Sequence, residues 1–422
     1  MKRGQRKRHL SQAMVFLILF GIVSLFSDMT HEGASSIRGA YLSIMGASAG
    51  AIGFFSGLGE LIGYSMRYLF GKLTDKTRQY WPITVIGYVL DVMAVPALAL
   101  VGEHGWIWAC LLLLIQRMGK AIKKPAKDTI MSFAASQEGA GKSFGIQELL
   151  DQIGAVLGPV LLYLVMLFRT DGDVFQTYSC CFAVLVIPGA ITLILLLFTW
   201  RKFPDPERFE PEPEEHVPFR MKKSFVLYIA GISCFAFGFI DYSLIIMHVS
   251  NVYAGLASDL AQTSALVTEG TLPLLYAGAM LVDAIAAVVF GYLYDKIGVK
   301  ALMISTLLSS VFAIFVFSAH SVPMLLIGIA LWGIGMGAQE SILKAVVTSI
   351  VPKDSRATGY GIFECTFGVF WFLGSWIMGV LYDLSIPAMV AVSVIAQLLA
   401  IPLYLASDRG QRAQTSKQIK TV

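Results

Sequence analysis

Charged residues are scarce in this sequence. Asp, Glu, Lys and Arg together make up 14% of its 422 residues, whereas soluble globular proteins carry about 25%. Hydrophobic residues make up 56% of the chain, and apolar runs long enough to cross a bilayer recur from one end to the other. This composition excludes a soluble enzyme, and it excludes a soluble domain held by one anchor. It indicates a protein that crosses the membrane many times.

Cysteine is also rare, and the motifs of enzyme active sites are missing. The five cysteines lie within apolar segments without the spacing of metal ligands or paired extracellular bridges, which predicts small buried side chains. They are Cys110, Cys180, Cys181, Cys234 and Cys365. The sequence has no Gly-rich phosphate loop and no Ser/His/Asp or metalloprotease spacing. We therefore expect no enzymatic activity, no bound metal and no organic cofactor.

The apolar runs predict twelve membrane-spanning helices. Only helices and closed barrels satisfy every backbone polar group inside hydrocarbon, and continuous runs of this length are typical of helices. The fold class is therefore an all-α membrane protein. Breaks at charged residues, Gly and Pro set spans 1 to 12 at residues 12–37, 43–72, 82–101, 105–131, 144–168, 176–200, 224–249, 270–294, 300–319, 322–347, 357–381 and 386–406.

The positions of Lys and Arg predict the orientation of the chain. Basic residues precede span 1 without a small-residue cleavage site, so we interpret this segment as a retained tail and not as a signal peptide. Of the 32 Lys and Arg residues, 27 lie on the side of the N-terminus, and outside the spans only Arg38 and Arg169 remain for the other side. Because cytoplasmic loops are rich in positive charge, we expect an inner (plasma) membrane protein with both termini in the cytoplasm.

A polar segment divides the spans into two sets of six. Residues 201–223 contain five of the 15 prolines and cannot continue a helix. We predict an N-terminal half over residues 1–200, a cytoplasmic linker over 201–223, a C-terminal half over 224–408 and a cytoplasmic tail over 409–422.

Two motifs recur in both halves. The segment Gly71–Lys76 ends span 2, and the similar Gly291–Lys296 ends span 8, 220 positions later. The segment Phe144–Glu148 opens span 5, and Tyr360–Glu364 opens span 11 at an offset of 216. The recurrence indicates that a unit of six spans is duplicated.

Two parallel six-helix repeats joined by a polar linker resemble the major facilitator superfamily over roughly residues 12–406. The loop motif of that family is matched in the second half by Gly291, Leu293, Asp295, Lys296, Gly298 and Lys300, whereas the first half lacks the second glycine. Arg117 is similar to the family's buried arginine of helix 4, and Gly154, Gly158 and Pro159 resemble the helix 5 motif of its exchangers. The resemblance implies two pseudo-symmetric six-helix halves and a monomeric transporter.

Span 1 carries polar side chains along one face. They are Ser24, Asp28, His31, Glu32 and Ser35. Ionisable residues inside a span cost at least about 2.5 to 3.5 kcal/mol, so we expect this stripe to line the central cavity. Alternatively, Asp28, His31 and Glu32 form half of a divalent-cation site. Asp241 and His248 of span 7 would then supply the remaining ligands.

Span 4 is basic along one face, and span 5 is acidic near the same membrane side. Span 4 carries Arg117, Lys120, Lys124 and Lys127. Span 5 carries Gln147, Glu148, Asp151 and Gln152. We expect Arg117 or Lys120 to form a buried ion pair with one of the two carboxylates. In a coupled transporter, protonation of that carboxylate would release its basic partner to bind an anionic substrate.

The second half contains further ionisable residues within its spans. Glu340 and Lys344 of span 10 are spaced as an i, i+4 pair that can neutralise itself. Glu364 of span 11 has no basic neighbour in sequence, so we predict that it carries a proton. Asp91 and Asp283 lie in spans 3 and 8, where we expect hydrogen bonds to neighbouring helices.

The repeated loop motifs have a predicted mechanical role. Asp75 and Asp295 lie at the ends of spans 2 and 8, where a carboxylate can pair with a basic residue or a helix N-terminus of the other half. By resemblance to the family, the gating loops that latch the outward-open state contain Gly71, Asp75, Arg78, Gly291, Asp295 and Lys296.

We interpret the sequence as a proton-coupled secondary transporter that moves a small organic solute by rocking of its halves. The exchanger-like motif favours efflux by antiport. The alternative is a symporter or uniporter that imports an anionic metabolite, as the basic face of span 4 indicates. A divalent-metal transporter and a binding receptor that does not transport are further hypotheses. The candidate residues for substrate and proton coupling are Asp28, His31, Glu32, Arg117, Lys120, Glu148, Asp151, Asp241, Glu340 and Glu364.

The partners that we expect follow from this interpretation. They are a small-molecule substrate, the proton as coupling ion and the lipid bilayer, with no nucleic acid. The direction of proton movement on addition of substrate separates antiport from symport. Saturable binding without flux would indicate the receptor.

Overall fold

The structure is a computed structural model, and it describes residues 11–138, 140–169, 173–205, 223–254, 267–318, 321–350 and 356–421. These residues form sixteen α-helices and no β-strand. In chain order the helices are α1 (Gln12–Ser35), α2 (Arg38–Ile44), α3 (Ala49–Thr77), α4 (Tyr80–Ala97), α5 (Trp106–Glu138), α6 (Ala140–Leu167), α7 (Val174–Val184), α8 (Val186–Lys202), α9 (Lys223–Gly238), α10 (Tyr242–Val249), α11 (Leu272–Ile297), α12 (Val299–Ser310), α13 (Phe312–Phe317), α14 (Val322–Ile350), α15 (Arg356–Leu384) and α16 (Ile386–Thr421).

The helices form the twelve spans that the sequence predicts. Spans 1, 6, 7 and 9 each consist of two helices, α1 with α2, α7 with α8, α9 with α10 and α12 with α13. Over the described ranges, ten spans are long and apolar enough to cross a membrane. The two remaining spans, α3 and α5, are rich in charge, and Arg117 of α5 lies 2.6 Å from Glu60 of α3. Charges of these two helices therefore neutralise each other inside the bundle.

The break in span 7 is stabilised by side chains from other spans. The carbonyl of Gly238 accepts hydrogen bonds from Ser393 Oγ at 2.6 Å and from Gln397 Nε2 at 3.2 Å. Trp332 Nε1 donates to the carbonyl of Ile240 at 3.0 Å. A helix break frees backbone oxygens that hydrocarbon cannot satisfy. These bonds supply the missing partners.

Glycines let spans 1 and 5 pack at backbone distance. Gly154 of α6 lies against the main chain of Leu25, and Gly158 lies against that of Met29. A Cβ atom at either glycine would overlap a main-chain oxygen of α1. Pro159 follows within the same helix. The helix 5 motif therefore makes a close packing contact within the N-terminal half.

The spans are arranged as two pseudo-symmetric six-helix halves. Span 2 (α3) packs along span 11 (α15), and span 5 (α6) packs along span 8 (α11). Each of these contacts is the counterpart of the other, as expected for repeats related by an axis along the membrane normal. In addition, α2 of span 1 contacts α10 of span 7. We call the membrane side at which α1 begins and α16 ends the termini side, and the other the opposite side.

The repeated loop motifs both end their helices at a residue with a positive φ. Gly298 follows α11 with a φ of 63°, and Arg78 follows α3 with a φ of 52°. The N–H of Arg78 donates to the carbonyl of Thr74, and that of Gly298 donates to the carbonyl of Tyr294, each at 2.8 Å. The first motif lacks a glycine here, yet its chain makes the left-handed turn with an arginine. Glycine adopts this φ without steric cost, and arginine does not.

We expect Arg78→Gly to raise the thermal stability of the purified protein. The left-handed conformation costs an L-residue about 1 kcal/mol, and glycine removes that cost. The change Gly298→Ala places a side chain at the corresponding position, whose φ of 63° and ψ of −141° suit glycine alone, and it should lower stability by at least as much. Thermal unfolding of both variants in detergent checks the prediction. A lower unfolding temperature for Arg78→Gly would show that contacts of the arginine side chain outweigh the strain.

Two features differ from the predictions, and one predicted segment lies outside the described residues. Helix α16 continues to Thr421, past the predicted end of span 12 near residue 406. Cys365 is exposed, so the prediction that all five cysteines are buried is wrong there. An apolar membrane segment also has a lipid-facing side, and sequence composition does not distinguish that side from the core. Most of the predicted linker, residues 206–222, lies outside the described residues.

Candidate functional site

An arginine of span 1 connects the two halves on the opposite side. Arg38 begins α2 and is buried. Its Nε donates to Ser243 Oγ at 2.7 Å, and its Nη2 lies 3.4 Å from Asp241 Oδ1 and 3.5 Å from Ser56 Oγ. The assignment of Arg38 to a connection outside the spans is therefore wrong. Span 1 continues as α2 after a short break, and this places Arg38 inside the bundle.

A carboxylate of span 11 caps span 2 on the same side. Asp383 accepts the backbone N–H of Ala49 at 3.2 Å and that of Gly50 at 2.8 Å. A helix N-terminus has unpaired N–H groups and a partial positive charge, so a carboxylate is stabilising there. Arg38 and Asp383 together join the halves on the opposite side.

The positions of Asp241 and His248 do not fit the divalent-cation hypothesis. Asp241 accepts the N–H of Ser243 at 2.8 Å as the N-cap of α10, and it also faces Arg38. His248 Nδ1 lies 2.9 Å from Tyr382 Oη. Within the described ranges, no three His, Cys, Asp or Glu side chains converge on a point that could hold a metal ion.

A chain of buried polar side chains runs through the N-terminal half. Gln116 Nε2 of α5 donates to His31 Nδ1 at 2.7 Å and to Asp91 Oδ1 at 2.5 Å. Asp91 forms an ion pair with Lys123, whose Nζ donates to Ser27 Oγ at 2.8 Å. The expected hydrogen bonding of Asp91 to neighbouring helices is confirmed. Sequence reasoning did not single out Gln116 or Lys123, although both lie in span 4 and Lys123 is only 6% exposed.

Glu32 extends this chain to the other half. Tyr276 of α11 donates to Glu32 Oε2 at 2.5 Å, and Glu32 Oε1 lies 3.4 Å from His31 Nε2. Tyr276 is buried. A continuous path of polar contacts therefore leads from span 8 through Glu32 and His31 to Gln116 and Asp91.

Arg117 has a partner that sequence reasoning missed. Its Nη2 lies 2.6 Å from Glu60 Oε1 of α3. The predicted pairing of Arg117 with Glu148 or Asp151 is therefore wrong, because α3 supplies the carboxylate at this level of the bundle. Glu60 is itself an ionisable residue within a span, and the cost of placing it there is the signal that identifies it.

The other span 4 lysines lie near carboxylates of the same half. Lys127 Nζ donates to Ser24 Oγ at 2.6 Å. Asp28 is within electrostatic range of Lys120, Lys127 and Asp151. Among the described residues Lys120 forms no ion pair, and one oxygen of Asp151 is buried without a hydrogen-bond partner. The fold thus brings two carboxylates and two lysines together without a direct salt bridge between Lys120 and Asp151.

Spans 5 and 8 meet through polar side chains of the two halves. Gln152 Nε2 donates to Asp283 Oδ2 at 3.1 Å and lies 3.4 Å from Glu148 Oε1. Asp283 is buried, and its other oxygen has no hydrogen-bond partner in the described part of the chain. Glu148 and Glu340 both lie within electrostatic range of Asp283. The predicted pairing of Glu340 with Lys344 involves the side chain of Lys344, which lies outside the part of the chain that the structure describes.

Glu364 has a basic partner in the other half. Arg67 Nη1 of α3 lies 3.5 Å from Glu364 Oε1. No basic residue lies near Glu364 in sequence, and its partner comes from a distant span. That Glu364 carries a proton stays a prediction. Arg67 and Glu364 line a cavity of about 220 Å³ on the termini side, together with Lys124 and Asp128.

The gating-loop residues lie at the termini-side ends of α3 and α11. Lys296 Nζ lies 4.4 Å from the ring centre of Tyr292, a contact within one helix. In the ranges that the structure covers, neither Asp75 nor Asp295 forms a hydrogen bond or ion pair with the other half. A latch formed by these loops in another state stays a prediction.

The repeated glycines of these motifs occupy equivalent contacts. A Cβ atom at Gly71 would lie 3.8 Å from Pro125 of α5, and one at Gly291 would lie 3.9 Å from Ser341 of α14. Gly71 thus faces span 4, and Gly291 faces span 10. These spans correspond to each other in the repeat.

Aromatic rings form a wall in the C-terminal half next to Tyr276. Tyr242 lies 4.5 Å from Tyr276 and 5.1 Å from Trp332, measured between ring centres. Phe239 lies 5.6 Å from Trp332 and 5.7 Å from Trp371. Such close ring packing makes this side of the interface rigid.

A small cavity of about 20 Å³ lies between spans 1, 2, 4 and 7. It is lined by Arg38, Leu42, Ile52, Phe55, Ser56, Gly59, Leu113, Gln116, Arg117 and Ser243. Two guanidinium groups, one amide and two hydroxyls supply its polar part, and the other side chains are apolar.

Comparison with known proteins agrees with this architecture. The sequence model of a family described as Major Facilitator Superfamily matches residues 9–268 and 242–421. An uncharacterised protein of Mycobacterium tuberculosis is 34% identical over 397 residues, which cover 93% of this chain and 92% of the relative. An uncharacterised MFS-type transporter of Methanocaldococcus jannaschii is 27% identical over 395 residues, or 91% and 92% of the two chains.

Solved structures of transporters share the fold. The nucleoside transporter NupG superposes with a TM-score of 0.71 at 16% identity, over 94% of this chain and 99% of that chain. A D-xylose–proton symporter superposes with a TM-score of 0.65 at 14% identity, over 92% and 96%. At this level of identity the similarity concerns the fold and not the substrate.

Proposed function

Because the chain belongs to the major facilitator superfamily, we propose that it is a proton-coupled secondary transporter of a small organic solute. In this fold two halves rock about a central site that opens to one side at a time. The contacts of Arg38 and Asp383 join the halves on the opposite side. The cavity beside Arg67 and Glu364 lies between the halves on the termini side. The halves are joined on the opposite side and separated by a cavity on the termini side, and this arrangement supports one end state of an alternating-access cycle.

Carboxylates at the interface between the halves support proton coupling. Six of them bond to a group of the other half: Glu32 to Tyr276, Asp241 to Arg38, Asp283 to Gln152, Glu364 to Arg67, Glu269 to Tyr178 and Asp383 to the N-terminus of α3. Rocking of the halves changes these contacts, and in general a carboxylate that gains or loses a partner changes its proton affinity. Such a dependence links proton binding to the movement.

The position of Glu32 is the observation that carries the proposal. Tyr276 of the C-terminal half donates to one carboxylate oxygen, and His31 faces the other. From His31 the contacts continue to Gln116 and Asp91 inside the N-terminal half. A proton on Glu32 therefore affects both the contact between the halves and the buried network of one half.

We propose efflux by antiport as the direction of transport. The exchanger-like glycines Gly154 and Gly158 hold span 5 against α1, the helix that carries Asp28 and Glu32. A second candidate is the import of an anionic metabolite by symport or uniport. The basic face of span 4, which carries Arg117, Lys120, Lys124 and Lys127, favours an anion, and it does not set the direction.

Flux measurements in reconstituted liposomes test the proposal. An internal pH-sensitive dye reports proton movement while succinate, glycerol 3-phosphate, uridine, D-xylose or tetraphenylphosphonium is added outside. Uridine and D-xylose are included because the neighbours named above are a nucleoside transporter and a D-xylose–proton symporter. Proton release that accompanies solute entry would support antiport, and proton entry with the solute would support symport. Solute flux that neither moves protons nor responds to an imposed pH gradient would contradict proton coupling.

A further inference from the structure

The two crossings of the halves differ in charge at equivalent positions. Spans 2 and 11 meet at one crossing and spans 5 and 8 at the other, and Glu364 of span 11 is the repeat counterpart of Glu148 of span 5. At the first crossing span 2 places Arg67 beside Glu364, with 3.5 Å between Nη1 and Oε1. At the second, which we call the acidic crossing, span 8 supplies the carboxylate of Asp283. The acidic crossing therefore has a negative side chain from each half.

A neutral amide joins the two carboxylates of the acidic crossing. Gln152 Nε2 donates to Asp283 Oδ2 at 3.1 Å and lies 3.4 Å from Glu148 Oε1. Over the described ranges, neither carboxylate forms an ion pair with Lys, Arg or His. The strongest electrostatic effects on Asp283 come from Glu340, Glu148 and Glu32, which are all negative. The amide supplies hydrogen bonds where the first crossing has a guanidinium group, but it brings no positive charge.

The buried end of the acidic crossing has acceptors without donors. Asp283 is 2% exposed, and its Oδ1 has no hydrogen-bond partner among the described residues. Gln152 Oε1 is occluded and unpartnered in the same part of the chain. A buried carboxylate that lacks a positive partner is costly. At the other end Glu148 and Glu340 are exposed near the termini-side ends of their helices, so a solute from that side reaches the crossing.

We propose that the acidic crossing binds the ammonium group of a cationic substrate between Glu148 and Asp283, in the place of the Gln152 amide. An ammonium group has three N–H donors and a full charge. With the amide turned aside, it can donate to both carboxylates and to the carbonyl oxygen of Gln152. No three His, Cys, Asp or Glu side chains of the described residues converge as metal ligands do, so the arrangement fits an organic cation better than a metal ion. The inference rests on the proposed transport function and names the class of its substrate.

The location of the acidic crossing connects the substrate with the proton. Asp283 follows Tyr276 by seven residues on α11, so the two side chains lie on one face about 10 Å apart along the helix. Tyr276 donates to Glu32 and packs against the ring of Tyr242. The apolar part of a substrate bound at Asp283 can therefore lie along α11 toward these rings. A positive charge at the crossing and a proton on Glu32 reduce the same repulsion, so each disfavours the binding of the other, as exchange requires.

Ligand-dependent thermal unfolding of the purified full-length protein at one fixed pH tests this site. Phenethylamine is titrated beside phenethyl alcohol and phenylpropionate, which have a similar apolar part but are neutral or negative. The amine should raise the unfolding temperature saturably, and the other two should not. Sodium chloride, exchanged for potassium chloride, tests an inorganic cation at this site and should have no saturable effect.

Substitution of the two carboxylates separates binding at the acidic crossing from binding elsewhere. Asp283→Asn and Glu148→Gln should each weaken the apparent affinity for phenethylamine by about ten- to a hundredfold, as expected for a lost charge-assisted contact. Glu103→Gln makes the same kind of change in an exposed connection and should leave the affinity unchanged.

Gln152 offers a second test that is independent of the carboxylates. Gln152→Lys places a permanent ammonium group in the crossing, which resembles the arrangement of Arg67 and Glu364. This variant should unfold at a higher temperature without ligand and should no longer respond to phenethylamine. Gln152→Met keeps the length of the side chain and removes the competing donor, so it should bind the amine at least as tightly as the wild type.

Two results would overturn the ammonium site. One is the absence of saturable stabilisation of the wild type by phenethylamine, whether or not sodium stabilises it. The other is wild-type affinity for the amine in Asp283→Asn, Glu148→Gln and Gln152→Lys. Either result would leave the proposed function standing if another solute still moved protons in the liposome assay. Conversely, amine binding at this site without proton-linked flux of any solute would contradict the proposed function and not the site.

Discussion

Glu32→Gln is expected to abolish accumulation of the solute against its gradient while movement down the gradient continues. Glutamine keeps the size of the side chain and still accepts the hydrogen bond from Tyr276. It does not bind or release a proton, so the two end states no longer differ in proton occupancy at this position. With a pH gradient of about one unit, the accumulation ratio should fall by about tenfold for one coupled proton. Counterflow of the solute at equal pH should remain.

A matched variant controls for the substitution itself. Glu103→Gln makes the same change in an exposed connection and should accumulate the solute to the wild-type ratio. If Glu32→Gln also accumulated the solute to that ratio, the coupling proton would be carried elsewhere. Asp28→Asn and Asp151→Asn are then the next variants to measure, because these carboxylates lie in the same half near Lys120.

Asp91→Leu is expected to lower the free energy of unfolding by about 3–5 kcal/mol, the usual result of breaking a buried ion pair. The substitution leaves the ammonium of Lys123 buried against Ser27 and the ring of Tyr88 without its carboxylate. It also removes the acceptor of Gln116 Nε2. Denaturation of the purified protein, followed by tryptophan fluorescence, measures the loss.

A double variant identifies the cause of this loss. Lys123→Met in the Asp91→Leu background removes the unpaired charge, so most of the stability should return. The single change Lys123→Met should itself destabilise the protein, because it leaves Asp91 without its cation. If the double variant were as unstable as Asp91→Leu, packing and not the buried charge would account for the loss.

Much of the fold follows from local properties of the sequence. Ten spans are apolar enough to be recognised by composition, and the offset of 220 residues relates two loop motifs that both end at a residue with a positive φ. Span 2 shows that composition can miss a membrane span, and span 5 shows that residue spacing can predict helix packing. The charged helix α3 falls short of a simple apolar criterion, whereas the spacing of Gly154 and Gly158 correctly indicates close packing.

The partners of the buried charges could not be predicted in the same way. Spacing along one helix shows which residues share a face, and it does not reveal how two distant helices are rotated toward each other. For this reason Arg117 was matched to span 5 and not to Glu60 of span 2. Similarly, Glu364 was considered isolated because Arg67 belongs to the other half.

Helix breaks were a second source of error. The end of α1 and the start of α2 appeared in sequence as the edge of a span, so Arg38 was assigned to a connection. In the structure the chain crosses this break and places Arg38 beside Ser243 of the other half. A cation near the end of an apolar run therefore has two interpretations, a solvent-exposed residue or a buried contact, and local sequence does not distinguish them.

Distances between spin labels on the two halves test the central claim most directly. In a variant without native cysteines, labels at His104 and Leu384 report on the opposite side, and labels at Gln79 and Lys300 report on the termini side. The contacts of Asp241, Asp383 and Glu32 hold the opposite side together in this structure, and in a proton-coupled transporter proton binding shifts the balance between the two end states. We predict that acidification of the reconstituted protein lengthens the first distance and shortens the second. Two distances that stay unchanged, or that change in the same direction, would contradict proton-linked alternating access.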